Sequence, residues 1–205
     1  MKPAVPYSFL SRTVVVFALA ALVAACGGGG GDSDAAAPSG VADDGGSPSA
    51  PAPTPPASDG MACGEAAFRD TALRLVNEHR AAGANCGSAG SFGAAPAVAW
   101  SDTLTQAAWQ HSADMAARNY FSHTSPEGGT LGARVTATGY AWSSVAENIA
   151  AGQADASAVV AGWMASPGHC RNIMTAALRD VGMACARNDA STYRRYYTLV
   201  LATPR

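Results

Sequence analysis

The 205-residue sequence has few charged residues and no excess of one sign. Only 14% of its residues are charged, and 13 Lys and Arg against 15 Asp and Glu give a formal net charge of −2. Without a basic excess, the chain has no positive field to attract a nucleic-acid backbone. The sequence also lacks HExxH, GxSxG and a glycine-rich phosphate loop. These absences exclude a nucleic-acid partner and leave an enzymatic function without a common catalytic motif.

The sequence has only five cysteines, and no two of them form a CxxC pair, so a zinc ribbon is not expected. Cys26 follows an apolar run near the N-terminus. The other four are Cys63, Cys86, Cys170 and Cys185. An even number in an exported chain favours two disulfides. Among the three possible pairings we favour Cys170–Cys185 with Cys63–Cys86, which requires residues 63–69 to fold back along the helix that follows.

The first 25 residues have the three zones of an export signal. Lys2 and Arg12 supply positive charge, Val14 to Ala25 is an uninterrupted apolar run, and small residues lead into Cys26. The run is shorter than the roughly 20 apolar residues that a transmembrane helix needs. A cysteine after small residues resembles a bacterial lipobox, although an ordinary cleaved signal with an incidental cysteine is the alternative. We therefore predict that residues 1–25 are a lipoprotein signal peptide and that Cys26 is lipidated.

Residues 26–60 are predicted to form a disordered linker behind the lipidated cysteine. From Gly27 to Gly60 the sequence has no aromatic residue and only Val41 as a larger aliphatic residue. Such a segment cannot bury enough apolar surface to offset the entropy lost on ordering, and its Gly, Ser and Pro residues are typical of a spacer. We expect an exported protein, either lipid-anchored at the outer membrane or cell surface through Cys26 or secreted.

Residues 61–205 have the length of one folded domain. Apolar residues at helical spacing, N-cap residues and stops at Gly or Pro predict four helices. These cover 68–82, a segment that starts after Ser101, 130–138 and 156–165, the last ended by Pro167. Strands are predicted at 181–186 and 193–202 after a short extended piece at 97–100. This order predicts an α+β domain with helices packed on an antiparallel sheet.

Three polar residues, His123, Glu147 and His169, lie at predicted element ends, where functional sites are commonly built. They suit a Zn²⁺ site with His123 and His169 as ligands and one open position. They also suit a base, an acid and an orienting group. A third interpretation, a polar cluster that only ties three segments together, stays equally open. His111 lies on the apolar face of its helix, and we expect it to be a core histidine with satisfied hydrogen bonds.

Ten short motifs follow one another through residues 68–202. They are Leu75–Arg80 (LVNEHR), Val98–Trp100 (VAW), His111–Met115 (HSADM), Phe121–His123 (FSH), Gly139–Tyr140, Ala146–Ile149 (AENI), Val159–His169 (VVAGWMASPGH), Asn172–Met174 (NIM), Val181–Gly182 and Tyr196–Thr198 (YYT). In this order they resemble the CAP superfamily, also called the SCP or cysteine-rich secretory protein domain family, in its bacterial extracellular branch. The resemblance covers nearly all of residues 68–202.

The resemblance implies a three-layer α-β-α sandwich with a central antiparallel sheet and a cleft on one side. Two histidines and two glutamates line that cleft in the family, and some members bind Zn²⁺ there. His123 and Glu147 match the first histidine and one glutamate, whereas Ser166 and Tyr196 fall where the second glutamate and the second histidine are expected. The implied cleft residues of this chain are His123, Glu147, Asn148, Ser166, His169 and Tyr196.

Three functions remain open at this point. The first is a non-enzymatic binding module on the cell envelope that takes a lipid or another small amphipathic ligand, an ion or a partner in its cleft. The family has sterol- and lipid-binding members, which favours this function by analogy. The second is a hydrolase that uses His123, Glu147 and His169 with or without Zn²⁺. The third is a structural or interaction domain of the envelope.

Overall fold

The computed structural model describes residues 58–205. The predicted signal peptide, the lipidation site Cys26 and all but the last three residues of the predicted linker lie outside this range. The described part begins with a short 3-10 helix, Ser58–Met61. None of its helices is both long enough and apolar enough to cross a bilayer.

Within residues 58–205 the chain forms five α-helices and six strands. The helices are α1 (Phe68–Ala82), α2 (Asp102–Arg118), α3 (Leu131–Ala137), α4 (Ala156–Ala165) and α5 (Pro167–Met174). The strands are β1 (Ala84–Asn85), β2 (Ser91–Phe92), β3 (Ala99–Trp100), β4 (Trp142–Ala151), β5 (Asp180–Arg187) and β6 (Arg195–Pro204). The four predicted helices and the two predicted C-terminal strands are confirmed within a few residues.

The main sheet has four strands in the order β3-β5-β6-β4. β4, β6 and β5 are antiparallel, as predicted, whereas the two-residue β3 pairs parallel to β5 at the other edge. β1 and β2 form a separate two-stranded ribbon. The long strand β4, which the sequence analysis does not predict, is an edge strand of the main sheet. Its sequence, WSSVAENIAA, has no regular apolar alternation because small and polar residues occupy most positions.

Both faces of the sheet are covered by helices. Tyr197, Leu199 and Leu201 of β6 pack in the cluster that contains the apolar residues of α1, α4 and α5. The alternate residues Val200 and Ala202 pack with α2. Successive side chains of β6 thus point to opposite faces of the sheet, and both faces are apolar. A strand between two helical layers requires this pattern. The domain is therefore the three-layer α-β-α sandwich implied by the resemblance.

The predicted end of the fourth helix at 165 is confirmed, but a further helix that the sequence analysis does not predict follows it directly. Pro167 begins this helix, α5, because a first-turn residue needs no N–H donor within its helix. This additional helix is important for the site, because it carries His169 and Cys170. Asp155 is the N-cap of α4, and its Oδ1 accepts a hydrogen bond from Ala158 N.

The four cysteines form two disulfides, but the predicted pairing is wrong. The bonds are Cys63–Cys185, with the Cα atoms 5.3 Å apart, and Cys86–Cys170, with 5.5 Å. A 15-residue helix such as α1 is about 22 Å long, and it keeps Cys63 and Cys86 apart. The segment before α1 instead runs beside β5, where Ala62 forms a bridge with Cys185. Each disulfide closes a long loop and thereby stabilises the fold.

Arg80 is the largest buried polar side chain of α1, with no exposed surface. Its Nε donates to Pro96 O at 2.7 Å, Nη1 to Ile173 O at 2.6 Å and Thr175 O at 3.0 Å, and Nη2 to Leu178 O at 2.9 Å. Burial, together with the charge of Arg179, lowers the pKa of Arg80. The guanidinium therefore fixes the C-terminal end of α5, and with it the helix that carries His169.

Candidate functional site

Glu147 and His123 meet, as the sequence predicts. Glu147 lies in β4 and is only 7% exposed, whereas His123 follows α2 in a loop and its side chain is 56% exposed. The distance between His123 Nδ1 and Glu147 Oε1 is 2.8 Å. Since β4 alternates its side chains, Glu147 points toward the α2 layer and Asn148 toward the α4 and α5 layer.

Arg134 of α3 is a member of this cluster that the sequence analysis does not identify. Its Nη2 donates to Glu147 Oε2 at 2.7 Å and to His123 O at 3.2 Å, and its Nη1 donates to Gly129 O at 3.0 Å. The side chain is 12% exposed. One guanidinium thus joins β4 to both ends of the loop between α2 and α3. A helical arginine gives no signal in sequence that it pairs with a carboxylate 13 residues later.

His111 of α2 is the fourth residue of the cluster. It is 1% exposed, its Nε2 lies 2.9 Å from Ser122 O, and the same atom is 3.8 Å from Glu147 Oε1. Because a carbonyl can only accept, Nε2 carries the proton. Nδ1 then has no partner among the described residues. The expectation of a core histidine is confirmed, but the expectation that all its hydrogen bonds are satisfied is wrong.

Burial and charge act in opposite directions on the pKa values in the cluster. Burial raises the pKa of Glu147, but the His123 hydrogen bond and the charges of Arg134 and His111 outweigh it and hold that pKa below its usual value. Burial lowers the pKa of His111 to about 4, despite the opposing effect of Glu147. At neutral pH the cluster therefore holds an ionised Glu147, a charged Arg134 and a neutral His111.

The depressed pKa of His111 predicts that acid destabilises the domain before the carboxylates titrate. Its pKa is 6.5 in the unfolded chain and about 4 in the folded one, so between these values the unfolded chain binds more protons. The free energy of unfolding should fall by about 1–3 kcal/mol as the pH drops from about 6.5 to about 4.5. Urea unfolding at several pH values measures this.

His111→Gln should reduce the pH dependence between about 6.5 and about 4.5. Part of the dependence should remain, because the pKa of His169 is also lowered in the folded chain. A free energy of unfolding that stays constant or rises as the pH falls through this range would contradict the assignment of a buried neutral His111.

His169 lies on α5, close to His123 but without a hydrogen bond from its ring to Glu147. Burial and the charge of His123 lower the pKa of His169. Its carbonyl accepts from Asn148 Nδ2 at 3.1 Å, and Asn172 Nδ2 donates to Asn148 Oδ1 at 2.9 Å. Of the three predicted site residues, the structure therefore joins His123 to Glu147 and places His169 beside them on the opposite side of β4.

An open groove lies next to this cluster, with a volume of about 350 Å³. Its lining is mostly apolar and comes from β4, α4, α5 and the loops after α2 and β5. The residues are Phe121, Ile149, Ala150, Ala151, Gln153, Val159, Gly162, Trp163, Ser166, His169 and Tyr193. Phe121 and Tyr193 are the large apolar side chains with the greatest exposure, 46% and 47%, and their ring centres are 6.0 Å apart. Exposed aromatic rings above an apolar groove are typical of a binding surface.

Four of the six predicted cleft residues do not line this groove, namely His123, Glu147, Asn148 and Tyr196. Tyr196 is fully buried beneath Tyr193, with the ring centres 5.9 Å apart, and Asn148 is fully buried between β4 and α5. Both support the groove from behind instead of facing it. Ser166 and His169 do line it.

The family assignment follows from a comparison with known protein families. The model of the cysteine-rich secretory protein family, CAP, matches residues 73–201. The chain belongs to this family. The match includes α2, β4, α4 and α5, and with them every residue of the cluster, so the CAP domain contains the whole candidate site.

Several known proteins are similar to parts of this chain. The uncharacterized protein YkwD of Bacillus subtilis is 37% identical over 82 residues, which are 40% of this chain and 32% of that protein. An extracellular protein containing a SCP domain from Bacillus anthracis is 29% identical, with a TM-score of 0.51 over 65% of this chain and 39% of that one. An outer surface protein of Borrelia burgdorferi shares the fold, with a TM-score of 0.56 at 15% identity over 69% of this chain and 97% of that one. The chain spans about a third of the length of the curated relatives it matches.

The zinc ion that the CAP resemblance implies does not fit the donors of this site. Zn²⁺ sites have three or more protein ligands. The positively charged guanidinium of Arg134, hydrogen-bonded to Glu147 Oε2, opposes the binding of a second cation at that carboxylate. Within the described range, no group of three or more His, Cys, Asp and Glu side chains is arranged to hold a metal. The predicted Zn²⁺ ligands His123 and His169 therefore lack a third partner.

A second, larger cavity of about 800 Å³ lies at the start of α1, away from the cluster. Its walls include Met61, Phe68 and Trp100, with Arg69 stacked over the Trp100 ring. None of its lining residues belongs to the cluster or to the groove. Size alone would favour this cavity as a binding site, whereas exposed aromatic rings and neighbouring polar groups favour the groove.

Proposed function

We propose that this CAP domain is a non-enzymatic binding module that takes a small apolar or amphipathic ligand in the groove beside the Phe121 and Tyr193 rings. The observation that carries the proposal is the pair of half-exposed aromatic rings at the mouth of an apolar groove. Exposing two such rings to water is unfavourable, and covering them with an apolar ligand would remove that cost.

The neighbouring cluster supports a binding role better than a catalytic one. A general base needs a free lone pair near the substrate, and a nucleophile needs a base within hydrogen-bonding reach. Glu147 is 7% exposed and has both oxygens occupied by His123 and Arg134. The cluster therefore acts as a brace that holds β4 and the Phe121 loop at a fixed distance. The hydrolase hypothesis therefore lacks an exposed carboxylate in this cluster.

We propose further that the domain works outside the cytoplasm, lipid-anchored at the cell envelope through Cys26. The three zones of residues 1–25 and the cysteine that follows them support export and anchoring. The two disulfides fit an oxidising compartment. Two relatives of similar fold are described as an extracellular protein and an outer surface protein, which agrees with this location.

Binding of the neutral fluorescent probe N-phenyl-1-naphthylamine to the full chain tests the groove. Phe121→Ala combined with Tyr193→Ala should weaken probe binding about tenfold, since each aromatic contact contributes roughly 0.5–1.5 kcal/mol. A fluorescence titration gives the dissociation constant, and a thermal unfolding curve checks that each variant is folded.

The matched control is Trp100→Ala, which removes an aromatic wall of the larger cavity. It should leave probe binding unchanged. Loss of binding in Trp100→Ala with none in the double variant would place the ligand in the larger cavity. Failure of the probe and of alkyl ligands to bind the parent chain would overturn the binding module and favour a structural or interaction domain.

A further inference from the structure

A shallow depression of about 260 Å³ continues from the groove around the Tyr193 ring. Tyr193 and Gln153 line both the groove and this depression. Its other walls come mainly from the hairpin between β5 and β6, namely Arg187, Arg194 and Arg195. A ligand that lies on the Tyr193 ring would therefore reach the arginines at one end and the apolar groove at the other.

The depression carries an uncompensated positive charge. Arg187 donates two hydrogen bonds to Asp189, at 2.8 and 3.0 Å, so this pair is neutral overall. Arg195 donates to the carbonyl of Ala154, which is uncharged. The Arg194 side chain forms no hydrogen bond or ion pair within residues 58–205. Three guanidinium groups face one carboxylate, and two positive charges remain in this otherwise slightly acidic protein.

The nearest further carboxylate in sequence is already used elsewhere. Asp155 is turned to the N-terminus of α4, where its Oδ1 caps the helix through Ala158 N at 2.8 Å. No carboxylate of residues 58–205 forms an ion pair with Arg194, so its donors are left for a ligand. An exposed guanidinium with its donors free is the group that proteins most often use to bind phosphate and carboxylate.

The main chain of the hairpin holds Arg194 in one fixed conformation. Arg194 is in the left-handed region, with φ of 63°, which costs free energy for a residue with a side chain. The carbonyl of Arg194 accepts from Asn188 N at 2.8 Å, and Asn188 Nδ2 donates to Ala116 O of α2 at 2.9 Å. The strained conformation is thus held by contacts outside the hairpin, as is typical of a residue placed for binding.

A polar group where the groove meets the depression lacks a hydrogen-bond partner. The Oε1 atom of Gln153 is buried and accepts no hydrogen bond from the described residues. A buried acceptor without a donor is unfavourable, and a donor on a bound molecule would satisfy it. Gln153 lines both the groove and the depression, so that donor would lie between the anionic and the apolar part of the molecule.

We propose that the hairpin arginines bind the anionic group, a phosphate or a carboxylate, of an amphipathic ligand whose apolar part lies in the groove. The proposal rests on the proposed function of the groove and adds the chemistry of the polar end. Arg194 supplies the free donors, Arg187 and Arg195 add positive charge, and Tyr193 separates the anionic from the apolar part.

Calorimetric titration of the full chain with three probes tests the inference: decyl phosphate, 1-decanol and inorganic phosphate. Decyl phosphate should bind at least tenfold more tightly than either of the other two, because only it occupies both ends. Arg194→Gln should weaken decyl phosphate binding about 5- to 20-fold and leave 1-decanol binding unchanged. Added salt should weaken decyl phosphate binding in the parent chain more than in Arg194→Gln.

The matched control is Arg205→Gln, which removes the same charge at the other end of β6. Ten residues of strand separate the two ends by about 33 Å, so this variant should bind decyl phosphate as the parent does. Equal binding of decyl phosphate to Arg194→Gln and the parent would overturn the anion site. If 1-decanol binds as tightly as decyl phosphate, the groove stands and this inference fails. If inorganic phosphate alone binds as tightly, the hairpin is a free-anion site unconnected to the groove, which also overturns the inference.

Discussion

Replacing Arg80 with alanine is expected to lower the free energy of unfolding by about 4 kcal/mol. The guanidinium is fully buried and donates to four main-chain carbonyls, those of Pro96, Ile173, Thr175 and Leu178. Alanine leaves these acceptors without donors, and each stranded buried acceptor costs about 1–3 kcal/mol, of which water entering the space recovers a part. Urea unfolding of the parent and the variant measures the difference.

Two further variants distinguish the loss of the carbonyl contacts of Arg80 from the loss of an arginine side chain in general. Arg74→Ala lies on the same helix, where the side chain is exposed and bonds to Glu78 four residues later, so about 0.5 kcal/mol or less is expected. Arg80→Lys should give an intermediate loss, because an ammonium has three donors and no planar fork. Similar losses in Arg74→Ala and Arg80→Ala would show that the carbonyl contacts do not stabilise the fold as described.

Replacing Glu147 with alanine should cost about 3–4 kcal/mol of unfolding free energy at pH 7. The carboxylate is nearly buried, and its removal leaves the Arg134 guanidinium, only 12% exposed, without its counter-charge. Breaking a buried ion pair by removing one partner typically costs about 3–5 kcal/mol, and the exposure of His123 on the other side favours the low end. Urea unfolding at pH 7 gives the value.

The matched control is Glu78→Ala, in which an exposed arginine on the surface of α1 loses its carboxylate partner. A change of about 0.5 kcal/mol or less is expected there. Glu147→Gln should lose less than Glu147→Ala, since the amide keeps one acceptor for His123 or Arg134. If Glu147→Ala were as stable as Glu78→Ala, the cluster would not be the brace that holds β4 to the Phe121 loop.

The helices of this domain are predictable because their signals are local. Ser101 and Asp155 accept hydrogen bonds from the first turns of α2 and α4, and both are visible in the sequence as N-caps. Arg80 shares the helical spacing of the apolar residues of α1, which places it on the buried face. β4 lacks such a signal, because its order depends on pairing with β6 about 50 residues later.

The site is only partly predictable, because its contacts join distant segments. The contact between His123 and Glu147 follows from the family motifs, which place both in the cleft. Arg134 and His111 reach Glu147 only through the packing of α3 and α2, and no spacing in the sequence encodes that distance. The disulfide pairing fails for the same reason, since it depends on which segment runs beside β5.

The sequence analysis misses Tyr193 and Arg194 as site residues for a different reason. In the sequence they look like the start of a strand, whereas in the structure β6 begins only at Arg195. The left-handed conformation of Arg194 ends the regular strand pattern and leaves Tyr193 half exposed. A turn that places an aromatic ring and an arginine toward solvent is recognisable only once the position of the neighbouring groove is known.

Ligands are expected to bind in the groove beside His169 and not in the larger cavity at the start of α1. A crystal structure of the full chain with bound decyl phosphate tests this central claim most directly. We predict the alkyl chain in the groove, against the Phe121 and Tyr193 rings, and the phosphate within hydrogen-bonding distance of Arg194. An alkyl chain lying instead against Trp100 and Phe68, with the groove empty, would contradict the claim.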